Sequence, residues 1–262
     1  MLVTTGINPS PQSEYLARQV SEEWQAMWVP RGNKSLAKLK SLYNQSEILV
    51  VGNHELRYLD QEDQPMFFHP SMAMVRMKRL LKGEKDNMLE AALVQEGDQI
   101  IDCTMGLASD AIIFSHAVGD TGEVIALESS SIPYLLAKEG LATYEPGVTA
   151  LREAMRRIRV IQVDHLEYLS SRPDNSADVV YFDPMFRQAA TGSSSMEPLR
   201  ELAEHNALRV EAILEARRVA RRRVIMKEHI ASGEFSRLGF EYRKGSYSNR
   251  SAKIVYGVID CE

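Results

Sequence analysis

The stretch Gln99-Ile-Ile-Asp-Cys-Thr-Met-Gly-Leu-Ala-Ser-Asp110 decides the fold. Its apolar start reads as a buried strand, its small-residue centre as a turn and its end as the start of a helix. Gly106 lets the backbone approach a ligand closely, and the helix after Ala108 presents free N–H groups at its first turn. Asp102, at the strand end, is a ligand candidate by position. Thr104 either bonds the turn's own backbone, as threonines in turns do, or lines the same site.

The segments downstream repeat the pattern. Glu123-Val-Ile-Ala-Leu-Glu128 is a second strand ending in a carboxylate, whose two oxygens suit the two hydroxyls of a ribose. Arg159-Val-Ile-Gln-Val-Asp164 is a third, its terminal acid suited to an adenine amino group. Asp178-Val-Val-Tyr-Phe-Asp-Pro-Met-Phe186 is a fourth. There Asp183 can accept hydrogen bonds from an amine, Pro184 stiffens the turn with its carbonyl outward, and Phe186 offers a flat face for a nucleobase. Ligands of parallel sheets bind outside the carboxyl ends of the strands, so four polar strand ends define one site. Helical spacing through 111–116, 132–141 and 150–157 separates these strands, and Arg223-Val-Ile-Met-Lys227 is a fifth. Lys227 reads as an exposed lysine. Met196 to Arg221 is a long amphipathic helix with Leu199, Leu202, Leu208, Ile213 and Leu214 on its apolar positions. Segments 239–243 and 253–259 form a closing hairpin.

Residues 1–70 form a small N-terminal α/β appendage, 71–97 are connecting helices, and 98–262 are the ligand-binding domain. The appendage reads as strands at 2–5, 48–52, 55–59 and 65–69, with helices at 13–27 and 35–43. Met74, Met77, Leu80 and Leu81 share one helical face that packs into a core, and Asp86 caps the following helix. Of 262 residues, 44% are hydrophobic and 26% charged, the balance of an ordinary globular chain. Two cysteines, Cys103 and Cys261, are too few for a disulfide framework, so a reducing cytoplasm is expected. No basic residue near Cys103 would activate it for redox work. No apolar run has the length of a membrane span, and the histidines and cysteines show no metal-ligand spacing.

Taken together, Asp102 to Asp110, Glu128-Ser129, Asp164-His165 and Asp183-Pro-Met-Phe186 resemble class I methyltransferases that use S-adenosylmethionine. The last of these is similar to the Asp-Pro-Pro-Tyr motif of enzymes that methylate amino groups, with Met185 in place of the second proline. Within that class the chain resembles the family that methylates a guanine N2 of small-subunit (16S) ribosomal RNA, and Val3-Thr-Thr5, Val29-Pro-Arg31 and Phe68-His-Pro70 extend the likeness over nearly the whole chain. The resemblance implies a doubly wound, mostly parallel seven-stranded Rossmann-like sheet with its last strand antiparallel. It also implies that Ser109, Asp110, Glu128, Ser129, Asp164, His165 and Asp183 hold the cofactor. Two positions depart from that family. Ala108 stands where a second glycine is usual, which strains any left-handed backbone there, and Arg187-Gln188 replaces a proline-basic sequel to the motif.

Two other acceptors, DNA adenine or a protein amide, share the same strand-end motif. A non-catalytic cofactor-sensing or RNA-binding module on this fold is a third alternative. A nicotinamide dehydrogenase would need Gly-x-Gly-x-x-Gly, which residues 106–110 do not supply. The net charge of -5 argues against a nucleic-acid partner. Three basic clusters argue the other way, namely Arg76 to Lys85, Arg152 to Arg159 and Arg217 to Arg223. The first of them, between appendage and catalytic domain, is expected to contact phosphates of an RNA substrate.

Overall fold

The computed structural model describes residues 1–184, 207–242 and 253–261. Two sheets organise them. The first has the order β2-β1-β3-β4-β5, built from β1 (Leu2–Thr5), β2 (Met27–Trp28), β3 (Ile48–Val51), β4 (Leu56–Leu59) and β5 (Pro65–Phe67). Strands β1, β2 and β3 are parallel, and β4 and β5 return antiparallel. Helix α1 (Pro11–Glu23) starts at Ser10, whose side chain accepts from the Ser13 N–H. Helix α2 (Leu36–Tyr43) starts in the same way at Ser35. The helix expected over 13–27 stops at Glu23, because Gln25 turns left-handed and Met27–Trp28 then pairs with β1.

Helices α3 (Ser71–Leu80) and α4 (Asn87–Ala92) lead to the second sheet, and Asp86 caps α4 as expected. Met77 is buried and Met74 and Leu80 pack against the same core, but Leu81 lies one residue past the helix and is 55% exposed. The second sheet has the order β11-β10-β9-β6-β7-β8. Its strands are β6 (Gln99–Asp102), β7 (Glu123–Glu128), β8 (Arg159–Gln162), β9 (Ala177–Phe182), β10 (Ala220–His229) and β11 (Ile254–Asp260). All neighbours are parallel except β10 and β11. The described residues thus give six strands rather than seven. After Gly239 ends the preceding helix in a left-handed turn, the described residues show an antiparallel bridge from Glu241 to Val258; residue 243 of the expected strand and the joining loop lie outside them.

Between the strands run α5 (Ser109–Val118), α6 (Ser131–Thr143), α7 (Thr149–Arg157) and α8 (His165–Ser170). Ala111, Ile112, Ile113 and Phe114 of α5 are all buried, so this helix sits inside the molecule, its polar residues concentrated at its ends. Of the long helix expected over 196–221, the described part is Val210–Val219; Leu208 and Ile213 are buried, Leu214 is 57% exposed, and Leu199 and Leu202 lie outside the described residues. Leu135 and Leu136 of α6 share a core with Val3, Leu49 and Tyr58 of the first sheet, against which Leu107 also packs. The first sheet therefore abuts the loop that follows β6. Phe68 lies on α6 where Gly140 leaves room; a Cβ there would stand 2.0 Å from its ring.

Candidate active site

Five parallel strands end at one rim, and each delivers a polar residue there or just beyond. β6 ends in Asp102, β7 in Glu128 and β10 carries Lys227, while Asp183 follows β9 directly and Asp164 follows β8. The loop after β6 is stitched to its neighbours by backbone bonds, Cys103 N–H to the Tyr181 carbonyl and Met105 N–H to the Leu127 carbonyl, both at 2.9 Å. Its course needs left-handed residues at Gly106 (φ 52°) and Ala108 (φ 62°). Ala108 pays for that with roughly 1–2 kcal/mol of strain, held in place by complete burial. Helix α5 begins directly after this loop, so the N–H groups of its first turn follow the strand end closely.

Glu128 shows what the site can take. One carboxylate oxygen accepts from Gly106 N–H at 3.0 Å and the other from Ser130 N–H at 2.9 Å. The Ser130 side chain and the Ser129 N–H also approach this carboxylate, an acceptor set of the kind that suits vicinal hydroxyls. Burial raises its pKa, and the N–H groups of Ser130 and Gly106 pull it partly back. Asp102 accepts from Thr104 N–H at 3.1 Å and is fully buried, which lifts its pKa well above the usual carboxylate range. Thr104 does more than bond its own turn: its hydroxyl oxygen accepts the Asp183 N–H at 2.6 Å, tying the loop after β9 to the loop after β6. Asp164 caps α8 through Leu166 and Glu167 N–H groups and receives Arg209 at 3.3 Å. His165 opens that helix and sets its ring edge-on against Phe182, 5.7 Å between centroids. Ser129 is exposed at the rim and Ser109 half-buried at the helix start.

Behind this rim lies a buried charge network that the sequence reading did not anticipate. Lys227 Nζ donates to Asp183 at 2.6 Å and to Asp110 at 3.1 Å. Asp110 also receives the Tyr181 hydroxyl at 2.8 Å and the Arg76 guanidinium. Arg76 in turn makes a two-pronged contact with Asp86 at 2.8 Å for each arm. Lys227 is thus not the exposed lysine expected, because the carboxylates of Asp110 and Asp183 draw it inward. Arg76 is not a surface phosphate contact either; its side chain is 16% exposed and committed to two acids. Asp110 turns its own carboxylate inward, to Lys227, Arg76 and Tyr181, rather than to the rim.

The network sets the charges. Burial alone would raise the Asp110 pKa, but Lys227 and Arg76 outweigh it and hold the group below the usual range. Burial pushes Asp183 up to about 6, with Lys227 pulling down and Asp110 pushing further up. Burial would lower Lys227, yet the two carboxylates raise it well above an ordinary lysine. Burial also pushes the Cys103 thiol far up, with Asp102 and Asp164 adding to it, which suits a packing role. Pro184 is half-buried beside Asp183, whereas Phe186 lies outside the described residues.

Comparison with known proteins decides the family. Residues 34–236 match a family model described as "Putative SAM-dependent methyltransferase". The chain belongs to this family. Along its whole length the methyltransferase is similar to the uncharacterized protein YpiP of Bacillus subtilis, 42% identical with 98% of both chains covered. It is 29% identical to ribosomal RNA small subunit methyltransferase J of Hydrogenovibrio crunogenus, over 55% of this chain and 53% of the relative. A similar stretch, 30% identical, is shared with the protein of that name from Laribacter hongkongensis, where it spans 46% of the relative. In fold, the chain resembles a crystal structure of a SAM-dependent methyltransferase from Neisseria gonorrhoeae, with a TM-score of 0.62, 16% identity and 98% and 95% of the two chains covered.

S-adenosylmethionine is therefore the cofactor of this enzyme, and the strand-end acceptors with the free N–H groups of α5 fit it. Lys227, Tyr181 and Arg76 were the residues missed. Nothing local in the sequence marks Lys227: it meets Asp183 only because Met226 pairs with Phe182 in parallel register, which makes the next residues neighbours.

Proposed function

We propose that the methyltransferase acts on the exocyclic amine of a guanine in ribosomal RNA of the small subunit. The observation that carries this reading is the anchored strand end at Asp183, an acid whose backbone is pinned by Thr104 while one carboxylate oxygen faces Lys227. The partial likeness to ribosomal RNA small subunit methyltransferases supports the choice of acceptor.

Bound at the rim, S-adenosylmethionine supplies a methyl group already activated by the sulfonium charge, so the protein's task is positioning. Glu128 holds the ribose hydroxyls, Asp164 takes the adenine amine, and the N–H groups of Ser109 and Asp110, with Gly106, Ser129 and His165 around them, line the rest. A guanine amine is a poor nucleophile because its lone pair is delocalised into the ring. Hydrogen bonds from it to Asp183 and to the Pro184 carbonyl orient it and favour the developing positive charge. As the carbon–nitrogen bond forms and the carbon–sulfur bond breaks, the amine holds one proton too many, and the Asp183 carboxylate accepts it. Phe186 stacks on the base, which has to leave its helix to be reached.

Mass analysis of ribosomal RNA from cells lacking the protein tests the acceptor: one methylated guanine should disappear and return with the wild-type gene. With purified protein, Asp183→Ala should cut transfer by about a hundredfold or more. Unchanged ribosomal RNA would turn attention to another amino acceptor. One feature favours that second reading: many of the arginines in the clusters at 152–159 and 217–223 are paired with acids, as Arg156 is with Glu145 and Arg222 with Asp98.

A further inference from the structure

We propose that Lys227 is the positioning residue that keeps Asp183 ionised and aimed at the acceptor amine. The proposal rests on the reading of Asp183 as the group that receives that amine. Its geometry is specific. Strands β9 and β10 end side by side, Met226 opposite Phe182, so Lys227 leaves its strand beside Asp183 and reaches it at 2.6 Å. The same ammonium reaches Asp110 at 3.1 Å. A lysine buried to this degree is costly unless paired, and these two acids are its ion-pair partners among the described residues.

The groups facing Asp183 from every side make the lysine indispensable to its charge. Asp110 on α5 is a negative neighbour that pushes Asp183 toward protonation, and Asp102 at the end of β6 is a second acid close by, itself pushed up by burial. Tyr181 on β9 and Tyr256 on β11 are held neutral, burial raising both hydroxyls. Arg76 on α3 is the second cation, but it is shared between Asp110 and Asp86 and does not reach Asp183. Without Lys227, Asp183 would stand in a buried site beside two acids with no cation of its own, and it would take up a proton. A protonated Asp183 cannot accept the proton that the methylated amine must release. Lys227 cannot serve as that base itself, because its two carboxylates hold it charged.

The test is the pH dependence of methyl transfer to small-subunit ribosomal RNA by wild type, Lys227→Met and Lys227→Arg. Wild-type transfer should rise with pH through a midpoint near 6, the value set by the Asp183 environment. In Lys227→Met the midpoint should move up by about 1–3 pH units, with activity recovering above it, and Lys227→Arg should stay close to wild type. A drop of equal size at every pH would overturn the proposal and leave a lysine that merely braces the fold. A second readout needs no acceptor: the carboxyl carbon resonance of Asp183, assigned with Asp183→Asn and titrated in the same proteins. It should shift in the same sense, and an unchanged midpoint overturns the proposal. If the RNA is not methylated by wild type while this titration shifts, the acceptor reading fails and the lysine pair stands. Should Lys227→Met not fold, Lys227→Gln keeps the length and a donor without the charge. If neither folds, the wild-type titration decides: a midpoint above about 8 would mean the lysine does not hold Asp183 ionised, and one near 6 supports it.

Discussion

Arg76 and Arg218 each reach two carboxylates, and the surroundings give the two arrangements different weight. Arg76 is 16% exposed and its partners Asp86 and Asp110 are 12% and 9% exposed. Arg218 is 31% exposed and holds Asp174, 71% exposed, and Glu215 one helical turn away. In the first case three charges have been taken out of water together, and each depends on the others. In the second, water is ready to replace either partner. Both arginines belong to basic clusters that look alike in the sequence. Burial, which a local charge count does not see, separates a network that shapes the active site from a solvated helix end.

The sharpest way to break this comparison is to remove each cation. Arg76→Met should cost about 3–5 kcal/mol of stability, because it leaves Asp110 and Asp86 buried with one cation fewer. Arg218→Met should cost about 1 kcal/mol or less, as exposed pairs do. Urea unfolding of the two variants measures this directly, and equal destabilisation would show that burial does not distinguish them.

Glu128 extends the contrast to a largely buried acid with no cation partner among the described residues, held by N–H groups of the backbone that include those of Gly106 and Ser130. Glu128→Ala should weaken S-adenosylmethionine binding by about 1.5–3 kcal/mol, since on the proposed reading it removes charge-assisted bonds to the ribose. Calorimetric affinities within a factor of two of wild type would remove Glu128 from the site.

These residues also show what the sequence could and could not disclose. Asp102, Glu128, Asp164 and Asp183 were legible because strand ends in a parallel sheet converge wherever the helices between them pack, so local pattern alone brings them together. The strain at Ala108 was legible for the same reason, since the loop's course follows from its own residues. Arg76 and Lys227 were not, because their partners lie far along the chain and depend on how α3 crosses α5 and how β10 registers against β9. Of the closing hairpin read at 239–243 and 253–259, the described residues show β11 and an antiparallel bridge from Glu241 to Val258, and residues 243–252 lie outside them.

The two acids that share Lys227 should respond to pH in opposite senses. Asp110 is depressed in the folded state, so its stabilisation is complete above the unfolded value of about 4 and fades as pH falls. Asp183 is raised to about 6, so the folded state binds more protons than the unfolded one below that value and stability falls as pH rises from about 4 through 6. Replacing Asp183 by Asn removes the second effect. Whatever constant offset the amide brings, the melting temperature of Asp183→Asn relative to wild type should climb by a few degrees between pH 4.5 and 7, at about 2–4 °C per kcal/mol. A flat or falling difference would mean that Asp183 does not carry the cost assigned to it.

The smallest effect concerns the remaining surface cations. With Arg76 buried, the expected phosphate contact of the segment 76–85 falls to its exposed members. Arg79 pairs with Glu84 and Lys85 with Glu90, whereas Lys78 and Lys82 are exposed and take no acid partner among the described residues. A lysine free of a carboxylate can release phosphate counterions at full value, while one already paired has to break its own ion pair first. Lys78→Gln with Lys82→Gln should therefore flatten the log–log salt dependence of RNA affinity by about 0.7–0.9 for each phosphate that the protein no longer neutralises. Arg152→Gln with Arg159→Gln, whose partners Glu145 and Glu123 are in place, should leave that slope unchanged. Affinity for S-adenosylmethionine should not move in either pair of variants, because neither pair belongs to the strand-end residues proposed to hold it. Equal slopes in all three proteins would make the segment a solvated helix face, and the acceptor would then be sought among amines that carry no phosphate chain.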